Sequence, residues 1–279
     1  MPELPEVETI KNAIANSIGK CVIKDLIIRN NHLRTLIPAD IKDKMVGAKI
    51  NGYRRRAKYI IIDLDNGYSL IWHMGMSGRI KISDERPNPP EKHDHILMST
   101  ANGWLTYNDA RRFGLFTYVK TADWEKSSLF ANIGFEPFDE KLTAEILYTK
   151  LQKKKIPIKE ALLDQKIITG IGNIYASESL YKARILPTRE ADKVTKEECR
   201  VLLQAVREVL QQAIKAGGST LRDYKKPDGS LGYFQNLHCV YNKTGQKCPD
   251  CTCDINQTGG IQKIVQAGRS SFFCPIKQK

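Results

Sequence analysis

Residues 1–8 read Met-Pro-Glu-Leu-Pro-Glu-Val-Glu. Apolar side chains then recur every three or four residues, the spacing of one helix face, at Leu4, Val7, Ile10, Ile14 and Ile18. We therefore predict a helix that begins at Pro5, with acidic side chains in its first turn at the positive end of the helix dipole. The rest of the chain decides whether this acidic turn only stabilises a helix end or also takes part in chemistry.

Pro2 is the residue through which this N-terminus can react. We expect Met1 to be removed, because the residue after it is small, and Pro2 then has a free secondary amine. An α-amino group has a pKa near ~8, against ~10.4 for lysine, so far more of it is neutral at pH 7. A neutral amine can form a Schiff base with an aldehyde-like carbon, and Glu3 and Glu6 lie close enough in sequence to move protons.

The composition favours a polyanionic partner. Lys and Arg total 44 of the 279 residues and Asp and Glu total 31, which leaves a formal charge of +13. Such an excess usually indicates nucleic acid, although a basic protein without that partner has the same charge. The sequence has no apolar run long enough for a membrane helix and no signal-peptide pattern. We therefore expect a cytoplasmic protein with no membrane partner.

Segments rich in β-forming residues follow the first helix, at residues 21–29, 49–64, 68–82, 96–107 and 113–120. Their number and spacing predict a β-sandwich or a flattened barrel. Asn66 and Gly67 separate two of these segments and predict a hairpin with a type I′ turn.

Helical patterns replace the strands from about Asp139. Apolar spacing predicts helices at residues 142–151, 158–164 and 174–183. Thr195 and Glu198 form a capping box that opens a long fourth helix, and Gly217 ends that helix. The remaining residues are polar and rich in glycine and cysteine, which predicts a loop followed by a small metal-tethered β-hairpin.

Cysteines cluster in this last part of the chain, which in a cytosolic protein argues for metal and against disulfides. Cys248-Pro249-Asp250-Cys251 matches the first half of a zinc ribbon. The second half offers only Cys274, and Cys253 is the best candidate for a fourth ligand, ahead of His238 and Cys239, which precede the hairpin.

Four basic or glycine-rich motifs are candidate nucleic-acid contacts. Residues 54–58 read Arg-Arg-Arg-Ala-Lys on a predicted strand, where they can meet phosphates or protect a strand edge. Residues 109–114 read Asp-Ala-Arg-Arg-Phe-Gly, which suits intrusion into a base stack but also a basic turn with a core Phe. Residues 73–79 are a weaker motif, and the glycines of residues 170–174 suit either an anion site or a helix cap.

Taken together and in order, these motifs resemble the family of bacterial formamidopyrimidine-DNA glycosylases. The likeness covers essentially the whole chain and includes residues 2–8, 57–59, 73–78, 109–114, 170–178, 216–223 and 232–235. It implies a DNA-binding enzyme of base-excision repair, at once a glycosidase (hydrolase) and an abasic-site lyase. Such an enzyme removes 8-oxoguanine and formamidopyrimidines from double-stranded DNA through an N-terminal Schiff base and β,δ-elimination. We expect it to act as a monomer.

The resemblance also implies the catalytic residues. Pro2 is the nucleophile and Glu3 the acid catalyst, Lys58 is a catalytic or phosphate-binding lysine at the δ-elimination step, and Glu6 helps to orient the site.

Further implied residues contact the DNA. Met76, Arg111 and Phe113 fill the void left by the flipped nucleotide, with Arg111 facing the orphan cytosine. The phosphate contacts are His73, Arg112, Asn173 and Arg269. A loop from about Ser219 to Tyr233, including Thr220, Arg222 and Tyr224, closes over the extruded base.

The implied fold is a multidomain α+β protein. Residues 1–135 form a leading helix and a β-sandwich catalytic domain, and residues 136–222 form a helix–two-turn–helix DNA-binding domain. Residues 223–279 form the lesion-capping loop and a zinc-finger-like β-hairpin. Zinc is the only cofactor implied.

The chain departs from the family pattern at three positions. Lys277 replaces the fourth zinc cysteine, which puts the metal in question, since a protonated amine is a poor ligand. Ala110 stands where proline is usual, and Arg222 where lysine is common.

Two other functions compete with this one. The sister family that excises oxidised pyrimidines usually has glycine where this chain has Leu4. A non-catalytic DNA-binding protein with the same fold would have no need of Pro2, Glu3 and Lys58, which are all present.

Overall fold

The computed structural model describes residues 1–219, 227, 229, 231–252 and 254–279. The chain forms two compact units. The first comprises residues 1–131 and 214–235, and the second comprises residues 132–213 and 236–279.

The first unit is a β-sandwich with a leading helix, as predicted. Helix α1 spans Leu4–Ile18, and a short helix α2 spans Ile41–Met45. One antiparallel sheet has the order β1-β6-β7-β5, formed by Ile23–Ile28, Asp94–Thr100, Gly103–Asn108 and Arg79–Ser83. The other has the order β2-β3-β4-β8, formed by Ile50–Arg56, Tyr59–Leu64, Tyr68–His73 and Leu115–Lys120. A 3₁₀ helix follows at Thr121–Lys126.

Apolar side chains from both sheets and from α1 form one core. Alternation along the strands turns Ile96 and Leu105 of one sheet and Ile62 and Trp72 of the other toward the same interior, together with Ile14 of α1. All five are completely buried or nearly so, and each such side chain contributes about 1.5–3 kcal/mol relative to exposure. This core fixes the N-terminus of α1 against the sandwich.

Three segments predicted as strands each contain a turn that the sequence analysis missed. Ala57 and Lys58 join β2 to β3, residues 74–78 join β4 to β5, and Ala101 and Asn102 join β6 to β7. The first turn places Ala57 at φ 54°, a left-handed conformation that only the surrounding hairpin can impose on alanine. The predicted hairpin at Asn66 and Gly67 is present, but only Gly67 has positive φ, so its turn is not type I′.

The second unit is mainly helical. Helices α3 (Ala144–Leu151), α4 (Ile158–Leu163) and α5 (Asn173–Ala183) lie close to the predicted positions, and α6 spans Lys196–Lys215. The predicted capping box is present, since Thr195 N donates to Glu198 Oε2 at 2.8 Å and Glu198 N donates to Thr195 Oγ1 at 3.2 Å. Gly217, at φ 75°, follows the end of α6. Short 3₁₀ helices lie at Ala191–Lys193 and Phe234–Leu237.

The predicted β-hairpin follows a single-turn helix, α7 (Ile255–Thr258), and consists of β9 (Gln262–Gln266) and β10 (Arg269–Phe273). Ala267 and Gly268 connect the strands, both with positive φ, as a tight hairpin turn requires. Among the described residues, no helix is both long enough and apolar enough to span a membrane.

Candidate active site and nucleic-acid interface

The N-terminus of α1 holds the predicted nucleophile and both predicted carboxylates. Pro2, Glu3 and Glu6 are buried, whereas Met1 remains 53% exposed. Glu3 is the N-cap of α1 and Glu6 the third helical residue, and the two form a reciprocal capping box. In it, Glu3 N donates to Glu6 Oε2 at 2.8 Å. Removal of the exposed Met1 would therefore place the new amine directly before this capping box in the chain.

Glu6 also holds the base of the predicted lesion loop. Its second oxygen, Oε1, accepts a hydrogen bond from Ser219 N at 2.8 Å. Gly218 has φ 78°, and a Cβ there would lie 2.9 Å from Glu6 Oε1, so glycine allows this approach. Tyr233 N donates to Ala216 O at 3.0 Å and thereby closes the loop base. Predicted loop residues Thr220, Arg222 and Tyr224 lie outside the described residues.

Lys58 lies in the β2–β3 turn and is only 7% exposed. Burial lowers the pKa of His73 to about 4, and the nearby positive charges of Arg34 and Lys58 lower it in the same direction. Tyr59 and His73 are cross-strand partners whose ring centroids are 4.7 Å apart. His73 Nδ1 accepts a hydrogen bond from Gly75 N at 3.0 Å, which leaves the proton of the neutral ring on Nε2. His73 can therefore offer a phosphate a hydrogen bond, but no charge, at pH 7.

The arginines that precede Lys58 lie on β2, an edge strand. Two of them form ion pairs within the sandwich: Arg54 contacts both carboxylate oxygens of Asp63 at 2.6 Å, and Arg55 Nε lies 2.9 Å from Glu8 Oε2. These pairs support a structural role at the strand edge for Arg54 and Arg55.

The three predicted void-filling side chains lie on the two loops at residues 74–78 and 109–114. Met76 is 40% exposed and Phe113 is 45% exposed, so both large apolar side chains are accessible at the surface of these loops. The guanidinium carbon of Arg111 lies 4.7 Å from the centroid of the Phe113 ring, a cation–π arrangement. Arg112 is exposed and has φ 56°. Such a left-handed arginine is uncommon and clusters at functional sites.

In the second unit, Asn173 and Arg269 are brought close through Ser270. Asn173 is the first residue of α5, and its Nδ2 donates to Ser270 O at 3.0 Å. Lys159, which the sequence analysis missed, is 1% exposed, and its Nζ donates to Ser270 O at 2.7 Å and to Ser271 Oγ at 2.8 Å. The exposed Arg269 is thus held at the start of β10 by a buried lysine, which no sequence motif distinguishes from a surface lysine.

Three of the four predicted metal ligands form a cluster. The sulfurs of Cys248, Cys251 and Cys274 all lie within 4.8 Å of one another. Cys274 Sγ is 3.3 Å from Cys248 Sγ and 3.7 Å from Cys251 Sγ. A tetrahedral zinc site with Zn–S bonds near 2.3 Å has sulfurs about 3.8 Å apart, so these three thiols fit three corners. Cys253 lies outside the described residues.

Lys277, which stands where the family has a zinc cysteine, contacts a tyrosine and an aspartate. Its Nζ donates to Tyr181 OH at 3.2 Å and lies 3.6 Å from Asp250 Oδ2 and 4.5 Å from the centroid of the Tyr181 ring. These contacts suit an ammonium ion. Its backbone N donates to Cys274 Sγ at 3.4 Å, as in a metal-binding turn.

Comparisons with known proteins agree with this geometry. The family model of the formamidopyrimidine-DNA glycosylase N-terminal domain matches residues 1–116, and that of the H2TH domain matches residues 133–225. A curated relative from Rhodospirillum rubrum, named formamidopyrimidine-DNA glycosylase, is 42% identical over 281 residues and is covered completely, as is this chain. A relative of the same name from Rickettsia africae is 43% identical, with 100% of this chain and 99% of the relative covered.

Solved structures give the same result. Lactococcus lactis Fpg in complex with DNA that contains an abasic site has a TM-score of 0.90 and 36% identity, with 99% of both chains covered. The wild-type protein of the same organism in complex with N7-benzyl-Fapy-dG DNA also has a TM-score of 0.90 and 36% identity, with both chains fully covered. The chain therefore belongs to the formamidopyrimidine-DNA glycosylase family, a family of bifunctional DNA glycosylases and abasic-site lyases of base-excision repair.

Proposed function

We propose that this chain excises 8-oxoguanine and formamidopyrimidines from double-stranded DNA and then cuts the abasic strand, with Pro2 as the nucleophile. The observation that carries the proposal is the buried N-terminus of α1, where Pro2 adjoins the Glu3–Glu6 capping box. A capping box requires only one acidic residue at its third helical position. Here Glu3 and Glu6 both belong to the capping box, and the adjoining buried Pro2 is the residue whose nitrogen becomes a free amine when Met1 is removed.

The reaction begins with the lesion outside the base stack, since C1′ is out of reach within a duplex. The neutral Pro2 amine bonds to C1′, and the C1′–N bond to the base breaks. Glu3 donates a proton that assists opening of the sugar ring. Pro2 and the opened sugar then share an iminium ion, an electron sink that covalent catalysis by an amine provides.

The strand is cut in two eliminations. The iminium acidifies the proton at C2′, and its removal expels the 3′ phosphate oxygen. A second elimination expels the 5′ phosphate oxygen, and Lys58, buried in the β2–β3 turn, is the residue we assign to this step. Water then releases the sugar fragment from Pro2, which restores the free amine.

We assign the DNA contacts to both compact units. Met76, Arg111 and Phe113 replace the extruded nucleotide, with Arg111 reading the opposite base; exposure of all three supports this assignment. The phosphate contacts are His73, Arg112, Asn173 and Arg269. His73 acts as a neutral hydrogen-bond donor, because its pKa is lowered to about 4. The loop that Ser219 begins, with Thr220, Arg222 and Tyr224, covers the extruded base.

We also propose that Cys248, Cys251 and Cys274 hold a structural zinc ion. The distances between the three sulfur atoms support the proposal. The zinc ion would hold the β9–β10 hairpin in place and would take no part in bond breaking. Glu178 braces the same region, since its carboxylate accepts hydrogen bonds from Cys239 N, Val240 N and Tyr241 N at 2.7, 3.0 and 2.7 Å. Cys253 is the proposed fourth ligand, because Lys277 is engaged as an ammonium ion.

We retain the division at residues 135 and 222 as a proposal for the functional domains, and we propose that the enzyme acts as a monomer in the bacterial cytosol or nucleoid. The H2TH family model begins at residue 133, which supports the first boundary. The substrate, chromosomal DNA, supports the location.

Strand cleavage tests the proposed substrate class. Protein without Met1 is incubated with matched duplexes that carry 8-oxoguanine, a formamidopyrimidine, an oxidised pyrimidine or no lesion. We expect the two purine lesions to be cut fastest, with phosphates left at both sides of a one-nucleoside gap. The oxidised pyrimidine belongs in the set because Lactococcus lactis Fpg has been solved with DNA of that kind. Faster cutting of the oxidised pyrimidine would assign the chain to the sister activity, and no cutting would leave a DNA-binding role.

A further inference from the structure

We propose that Asp109 is a positioning residue for recognition of the opposite strand. Its buried carboxylate joins the loop that carries Met76 to the loop that carries Arg111 and Phe113, so that these side chains enter the duplex as one preformed unit. The inference rests on the proposed function for its DNA readout, but the joint between the loops can be measured without DNA.

The carboxylate of Asp109 is fully buried and accepts hydrogen bonds at both oxygens. Oδ1 accepts from Ser77 Oγ at 2.6 Å and from Arg111 N at 3.3 Å. Oδ2 accepts from Tyr107 OH and from Gly114 N, each at 2.9 Å. Four donors from both loops and from β7 thus converge on one side chain.

Ser77 completes the connection between the loops. Its Oγ donates to Asp109 and accepts from Arg111 N at 3.1 Å, so one hydroxyl bridges the Met76 loop and the residue that reads the opposite base. The backbone of Asp109 is fixed as well, since its carbonyl oxygen lies 2.9 Å from His95 Nε2 and accepts from Arg112 N at 3.2 Å.

Close backbone packing supports the same conclusion. A Cβ at Gly75 would overlap the backbone of Phe113 and Gly114, and a Cβ at Gly114 would overlap the Tyr107 hydroxyl. The two loops therefore lie in direct contact over the sequence that carries Met76 and Phe113. Because interlocked loops have few alternative conformations, little entropy is lost when they meet DNA.

This network needs a hydrogen-bond acceptor at both oxygens of residue 109. An asparagine at position 109 would turn its NH₂ group toward either Gly114 N or Arg111 N, and two donors would then face each other in a buried site. A buried donor that has no acceptor is costly, so Asp109→Asn serves as the severe variant. Ser77→Ala is the mild variant, because it removes only the bridging hydroxyl.

A matched control lies in the other sheet. Ser69 is buried, and its Oγ donates to a carboxylate, Asp63 Oδ1, at the same 2.6 Å as in the Ser77–Asp109 pair. It lies near the start of β4, whereas the Met76 loop follows the end of that strand. Ser69→Ala therefore removes a hydrogen bond of the same type without touching the proposed joint.

Hydrogen–deuterium exchange of the DNA-free protein measures the joint itself. We expect Ser77→Ala to accelerate exchange in the peptide that covers residues 109–114, where the N–H groups of Arg111 and Gly114 are bonded, and Ser69→Ala to leave that peptide unchanged. Unchanged exchange in Ser77→Ala would overturn the proposal, whatever the activity of the enzyme.

The second measurement is the ratio of 8-oxoguanine cleavage rates opposite cytosine and opposite adenine, with cleavage of a preformed abasic site as a reference. We expect Ser77→Ala to lower the ratio at least about fivefold, the lower end of what one base contact contributes, with abasic cleavage retained. Ser69→Ala should keep the wild-type ratio. Equal losses on every substrate, or the same ratio in both variants, would show that Asp109 is only structural. A wild type that cuts no lesion would refute the proposed function, with the exchange result still valid.

Discussion

Glu6 Oε1 accepts a hydrogen bond from the backbone N–H of Ser219 at 2.8 Å, across a separation of 213 residues. The same carboxylate caps α1 through Glu3 N. One buried side chain therefore connects the residue next to the proposed nucleophile with the first residue of the proposed lesion loop. Placement of the nucleophile and anchoring of the loop base depend on the same group.

Glu6→Gln is expected to weaken this connection. Each carboxylate oxygen faces a backbone N–H, so the NH₂ of glutamine must face a donor on one side, and a buried hydrogen bond is lost. We predict a decrease of about tenfold in 8-oxoguanine excision, equivalent to about 1.4 kcal/mol. Cleavage of a preformed abasic site still needs the nucleophile but has no base for the loop to cover, so it should lose only the nucleophile's share and fall less in single-turnover assays. Equal decreases on both substrates would contradict a role in the loop.

Arg111→Ala and Asn173→Ala should affect DNA binding in different ways. Base-edge contacts carry sequence identity, whereas phosphate contacts do not. Arg111→Ala should therefore reduce discrimination between cytosine and adenine opposite the lesion by about 1–3 kcal/mol. Asn173→Ala should weaken binding to all duplexes alike. Binding titrations on matched duplexes measure both effects, and a change of base preference in Asn173→Ala would mean that the roles are reversed.

The metal site makes a separate prediction. We expect one zinc per chain in the wild type by elemental analysis, and loss of zinc in Cys274→Ser. Lys277→Cys should increase zinc affinity in competition with a chelator, because it supplies a fourth thiolate. Loss of zinc in Cys253→Ser would identify Cys253 as a ligand, and full zinc in that variant would exclude it. Absence of zinc from the wild type would mean that hydrophobic packing alone holds the hairpin.

Stability should fall on mild acidification. Burial, more than the nearby charge of Lys243, lowers the pKa of His238 to about 4 from an ordinary value of 6.5. Between these values the unfolded chain binds more protons than the folded one. The contribution of His238 is therefore complete above pH 6.5 and is lost as the pH falls toward 4, at up to about 1.4 kcal/mol per pH unit.

Urea unfolding at several pH values between 7.5 and 5 measures this loss. His238→Gln should flatten the pH dependence of the free energy of unfolding, whereas His32→Gln, at an exposed position, should leave it as in the wild type. An equal slope in His238→Gln and the wild type would refute the linkage.

Much of the fold could be predicted because local patterns determine it. The spacing of Ile10, Ile14 and Ile18 and the pairing of Thr195 with Glu198 are read within a few residues of each other. Turns such as that at Ala57 were missed because β-forming residues continue through them, and only cross-strand pairing imposes the bend. The ion pair between Arg54 and Asp63 could not be predicted for the same reason, since it depends on the register of β2 against β3.

The site could be predicted where a motif carries it, and less well where distant residues meet. The three clustered cysteines were found from their spacing. The role of Lys159 was not predicted, because a lysine that becomes buried looks like any other lysine in the sequence. The hydrogen bond between Ser77 and Asp109 was not predicted either, because it joins two loops that are 32 residues apart in the chain. Roles of Pro2, Glu3 and Lys58 remain predictions that their burial supports.

The central claim is that the Pro2 amine attacks the sugar, and borohydride trapping tests it most directly. Borohydride reduces an iminium to a stable amine, so protein without Met1 should become covalently joined to a duplex that carries 8-oxoguanine. Mass spectrometry should locate the DNA fragment on the N-terminal peptide. Protein that retains Met1, in which the Pro2 nitrogen is an amide, should form no adduct and leave the strand intact. Trapping at another residue, or undiminished cleavage with the N-terminus blocked, would contradict the account.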